Sequence, residues 1–134
     1  MNWDYVAAAV MLRDKRSFEH LLQESDTPLL LLNEEAIIQD INPSATELLG
    51  GKREDYLGKD IFALVDPADR YFLQEKWRKT LTGDQTTSQF TVRLRKTLGP
   101  SDWHTLRVEA GDASETGSMH LVQLQHLSTT RSKV

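Results

Sequence analysis

The chain contains no cysteine, which excludes disulfide frameworks, thiolate metal sites, c-type haem attachment and a cysteine nucleophile together. It has no membrane-length apolar run: Val6–Leu12, the longest near the N-terminus, is far short of the roughly 20 residues a bilayer requires. A secretory signal starts basic, whereas the first charge here is Asp4, so a soluble, cytoplasmic domain is expected. A basic excess is missing too. Sixteen Lys and Arg against 20 Asp and Glu leave a net charge of −4, which argues against a nucleic-acid binder. Internal repeats and low-complexity stretches are also absent.

What is present suits one globular domain. In 134 residues, 39% are hydrophobic and 27% charged, and a chain of this length buries roughly two-thirds of its unfolded surface without a covalent staple. Trp3, Val6, Ala7, Val10 and Met11 recur at helical spacing, predicting an N-terminal amphipathic helix over residues 1–16 that is cut off by Arg13–Arg16. Ser17 caps a second helix bearing Phe18, Leu21 and Leu22, which ends before Thr27-Pro28. Leu29–Leu32 is too short an apolar run for a helix and reads as a buried strand, answered after a turn by a second strand over Ala36–Ile41. Asn42-Pro43 caps and opens a short helix that Gly50-Gly51 stops. Two helical turns, Lys52–Leu57 and Ile61–Val65, flank Gly58, and Asp66-Pro67-Ala68-Asp69 opens a longer helix to about Thr82 with Phe72, Leu73, Trp77 and Leu81 as its buried stripe. The period then becomes two. Phe90–Arg95, Trp103–Ala110 and Met119–Leu127 are strands, with a polar loop over Gly111–Ser118. Strands in two groups separated by helices imply an α+β domain: one antiparallel sheet with helices on one face.

Taken in order, these segments resemble the PAS (sensory box) family over residues 17–128, with 129–134 left as a tail or linker start. The carriers are the hairpin Pro28–Asn33 with Ala36–Asn42, the Asn42-Pro43 helix ending in Leu49-Gly50, and Tyr56-Leu57-Gly58-Lys59. Asp66-Pro67-Ala68-Asp69-Arg70 and the turn Gly99–Trp103 complete them. The resemblance implies a five-stranded antiparallel sheet, order 2-1-5-4-3, under short helices, and a signal-sensing regulatory module of bacterial type. Such a module binds a small molecule or relays a signal to an output domain or partner; the alternative is a ligand-free dimerisation or docking domain.

Inward strand parity and the helical stripe place Leu30, Ile38, Ile61, Phe72, Trp77, Phe90, Val92, Val108, Val122 and Leu124 around any pocket, though ordinary core packing chooses the same residues. The effector remains unnamed. A cysteinyl-flavin adduct is excluded, the long helix lacks the histidine that haem-binding relatives use, and Trp77 is better explained by packing than by flavin stacking. Pairing Ala110 with His120 sets His104 opposite His126 on the core side, a pair better read as partly hydrated than as metal ligands. Asp40, Asp66 and Asp69 are the carboxylates available for catalysis, but two sit at helix starts where capping explains them, and no enzyme is expected. The opposite sheet face, with Arg93, Arg95, Trp103, Arg107, Met119 and Leu121, suits a partner, and Trp3, Val6, Ala7, Val10 and Met11 are assigned to a symmetric homodimer interface. Where many relatives end their last strand in Asp-Ile-Thr, this chain has His126-Leu127-Ser128, which lacks the fixed negative charge.

Overall fold

A computed structural model describes residues 20, 22–82, 87–95, 101–114 and 117–127. The expected N-terminal helix with Trp3, Val6, Ala7, Val10 and Met11, the Ser17 cap, Phe18, Leu21, Gly99-Pro100 and the tail lie outside them.

The first strand, β1 (Leu29–Asn33), is buried on both faces, which is why it reads as an unbroken run of leucines rather than an alternation. It pairs antiparallel with β2 (Ile38–Ile41) on one side and β5 (Gly117–His126) on the other. β5 continues to β4 (Asp102–Ser114) and β4 to β3 (Thr87–Leu94), giving a five-stranded antiparallel sheet in the order 2-1-5-4-3. The register matches the expectation pair for pair: Ala110 with His120, Val108 with Val122, Leu106 with Leu124 and His104 with His126. Several boundaries differ from the sequence reading. β2 starts later because Ala36 takes a φ of 63° and Ile37 bridges Asp60 instead. β3 starts three residues earlier than Phe90, at Thr87, because β4 continues far enough to pair it. The expected loop 111–118 is mostly ladder, since β4 runs on to Ser114 past an irregularity between Ala110 and Ala113.

Helix α1 (Pro43–Leu49) begins as predicted, with Asn42 accepting the Ala45 amide and Pro43 in the first turn, and Gly50 and Gly51 end it at φ 84° and 85°. Two 3-10 turns follow, Arg53–Asp55 and Ile61–Leu64, then α2 (Pro67–Thr82). The connection between them covers both edges of the sheet. Ile38 N–H donates to Lys59 O at 2.8 Å beside β2, and Arg95 N–H donates to Leu64 O at 2.7 Å beside β3.

Leu30, Leu32, Val122, Leu124, Leu106, Val108, Phe90 and Val92 share one parity and cluster with Ala45, Leu49, Ile61, Leu73 and Trp77, so the helices cover one face. Leu29, Leu31 and Leu121 point the other way and are buried as well, as is Leu22 in the short helical stretch before β1. The stripe expected on α2 is half right. Leu73 and Trp77 are buried, whereas Phe72 is 46% and Leu81 41% exposed.

Candidate functional site

The helix–sheet interior gathers nine of the ten residues expected around a pocket, Leu30, Ile38, Ile61, Trp77, Phe90, Val92, Val108, Val122 and Leu124, in one buried cluster. Phe72 is not among them. Its ring faces outward with Lys76 Nζ 5.5 Å from the centroid, because α2 turns a single narrow stripe to the sheet.

The polar side chain of this interior that meets Trp77 is His120. It has the inward parity of Val122 and Leu124, is 4% exposed, and its Nδ1 is buried with no hydrogen-bond partner among the described residues. Its ring lies 5.1 Å from that of Trp77, whose indole N–H donates to Glu34 O at 3.0 Å. Burial holds the His120 imidazole below the usual histidine range, opposed by the Glu34 carboxylate. Trp77 therefore holds the β1–β2 turn on one side and packs on β5 with the other. His120 was missing from the sequence-derived pocket, although the alternation that selected Val122 and Leu124 selects it equally.

Where β5 ends, His126 Nε2 meets Asp102 Oδ2 at 2.5 Å, and the His104 and His126 rings stand edge to face with centroids 5.1 Å apart. His104 is fully buried, with Nδ1 2.9 Å from Asp102 O, which corrects the expectation that both rings are hydrated; only His126 is exposed. The His126 contact and the Trp103 amide hold the Asp102 carboxyl below its ordinary range. Asp102 was overlooked in the sequence, and its place two residues before His104 at a strand start was the available signal. Among the described residues, no group of three or more His, Cys, Asp or Glu is arranged to hold a metal ion.

The carboxylates considered for catalysis have structural partners. Asp40 accepts from Arg53 Nη2 at 3.0 Å and from the Ile41 amide at 2.8 Å, and Asp66 caps α2 through the Ala68 amide at 3.0 Å. Asp69 takes the Arg93 guanidinium and the Arg93 amide at 2.9 to 3.0 Å, and that charge-assisted contact lowers its pKa. Arg70 donates to Phe62 O and Val65 O, so the Asp69-Arg70 pair ties the start of α2 to β3 and to the second 3-10 turn. On the opposite sheet face Arg93 also stacks over Trp103, 5.0 Å from the ring centroid, while Leu121 is buried and Met119 and Arg107 are half-buried. No helix among the described residues is long and apolar enough to cross a membrane.

A five-stranded antiparallel sheet in this order, with short helices on one face and a buried interior between them, defines a sensory-domain architecture. The PAS fold profile matches residues 16–126, and the chain belongs to the PAS family, a signal-sensing class of module found in sensor kinases and typically sensory rather than catalytic. Members commonly mediate signalling and dimerisation. No curated protein matches the sequence. Among solved structures, the chain is similar to a PAS domain from a two-component sensor histidine kinase, with 15% identity over 87% of this chain and 97% of that one and a TM-score of 0.69. It is similar to a PAS domain from Colwellia psychrerythraea, with 14% identity over 87% and 97% and a TM-score of 0.72. It is also similar to the PAS-B domain of Drosophila melanogaster Cycle with bound ethylene glycol, with 14% identity over 75% and 99% and a TM-score of 0.67. At such identities the likeness is one of fold.

Proposed function

We propose that this domain is a regulatory sensor that admits a small effector between α2 and the sheet and relays its presence to an output domain or partner. The observation that carries this reading is the His120 Nδ1, buried beside Trp77 and the apolar cluster with no hydrogen-bond partner among the described residues. A buried polar atom without a partner costs free energy, and a guest bearing one hydrogen-bonding group would recover it. An effector acts here only by binding two arrangements of the domain unequally. The test is a native mass spectrum of the purified chain against its denatured mass, followed by melting shifts over a ligand panel. An added mass, or a compound whose stabilisation is lost in His120→Phe, supports the reading; a bare chain indifferent to every compound overturns it.

A second reading is a ligand-free dimerisation or docking domain. It is favoured by the tightness of the core, where Leu30, Ile41, Val92 and Val122 are fully buried, as complete packing without a guest requires. In this reading Trp3, Val6, Ala7, Val10 and Met11 form the symmetric contact. Removal of residues 1–16 converts a dimer to a monomer in mass measured in solution, and an unchanged oligomer rejects that interface.

A further inference from the structure

The surroundings of His120 are specific enough to name a regulating chemistry. Its register partners are Leu32 on β1 and Ala110 on β4, and Trp77 reaches it from α2. From the β1–β2 turn, Glu34 is the charged group that acts on it electrostatically. Neither β1 nor α2 contributes a charge at these contact positions. A neutral imidazole is accommodated in this setting. An imidazolium is not: its second N–H finds no acceptor at Nδ1 among the described residues, and its charge is removed from water. Among the described residues, the carboxylate that acts on it belongs to Glu34, whose backbone carbonyl already anchors the Trp77 indole.

We propose that the proton is an effector of this domain: protonation of His120 separates its ring from Trp77 and draws it toward the Glu34 carboxylate, loosening the tie between α2 and the β1–β2 turn. This rests on the sensor reading above and names the chemistry that regulates the same interior. The device is bistable for a physical reason, since the neutral ring packs against the Trp77 ring and the charged ring is stable only beside a carboxylate.

The sign follows from linkage. Burial lowers the folded-state pKa of His120, so its share of stability is complete above the unfolded value of about 6.5 and shrinks as the pH falls below it. The loss levels off below the folded value, and each unit between the two values lowers the folding equilibrium constant about tenfold at acidic pH.

The test uses the full chain with no compound added, followed by NMR from about pH 8 to about pH 4.5, a range spanning the ordinary histidine value. The His120 ring signals are assigned by His120→Gln and the Trp77 indole N–H by Trp77→Phe. We expect His120 to titrate below the ordinary histidine value, the Trp77 indole signal to move with the same midpoint, and Glu34→Gln to shift both midpoints to lower pH. His120→Phe, where it folds, removes the loss of stability between about pH 6.5 and the folded midpoint; where it does not fold, the Glu34→Gln shift decides. An indole signal that stays still through the His120 titration, or a midpoint at or above the ordinary value, overturns the proton switch. Either result leaves the small-molecule reading to be judged by the native mass.

Discussion

Asn42 shows how much one side chain can carry. It is fully buried, and its Oδ1 accepts both the Ala45 amide at the start of α1 and the Leu29 amide of β1, at 3.0 and 2.9 Å, while Nδ2 donates to Thr27 O at 2.8 Å. A helix cap and a strand anchor are thus one amide. Asn42→Ala should cost about 3 kcal/mol, more than an ordinary cap, because it also strands a buried amide of β1; urea unfolding checks this, and a loss below about 1 kcal/mol would reduce Asn42 to a simple cap. Asp69 is the second such residue. Its folded pKa is lowered, first by the Arg93 side-chain hydrogen bond, so its contribution is present above the unfolded value of about 3.9 and is lost as the pH falls through the folded value. Asp69→Asn should lower stability by about 1 kcal/mol at neutral pH and flatten the unfolding profile at the acid end. A variant whose acid profile tracks the parent's would show that the pair is not a stabilising contact.

At the scale of elements, α2 illustrates why helical spacing alone misassigned two residues. Phe72, Leu73, Trp77 and Leu81 fit a 3-and-4 pattern, but only Leu73 and Trp77 are buried: Phe72 lies about 100° round the helix from Leu73, and Leu81 stands in the last turn. Leu73→Ala is therefore expected to cost about 2–5 kcal/mol, whereas Phe72→Ser and Leu81→Ser stay within roughly 0.5 kcal/mol. Comparable losses at all three positions would return Phe72 and Leu81 to the core. Gly58 makes the matching case for a turn: it holds φ 79°, and a Cβ there would meet nothing within 4 Å. Gly58→Ala should cost about 1 kcal/mol from backbone strain alone, and thermal unfolding measures it. A neutral substitution would mean that the turn relaxes away from that conformation.

For the whole molecule, the acid response should fall into two parts. His120 destabilises the fold first, below about pH 6.5, and the lowered carboxyls of Asp66, Asp69 and Asp102 add their losses below about pH 4. Denaturant midpoints measured across that range resolve the two steps in the parent chain, and the first step is absent in His120→Phe. Much of this architecture was legible in the residues: the leucine run of β1, the Asn-Pro and Asp-Pro helix starts, the alternation of β3 to β5, and the register that brings Val108 opposite Val122. These are local signals, set by backbone propensity, capping and period, and each acts over a few neighbouring positions. The pairing of Trp77 with His120, the hold of its indole on Glu34, the Asp102–His126 contact and the Asp69–Arg93 clasp join residues far apart in the chain. Pattern alone could place His120 inward, but only the three-dimensional packing decided which rings touch, which nitrogen has no partner among the described residues and which carboxylate acts on it. Burial and desolvation depend on everything that surrounds an atom, and no run of sequence contains that.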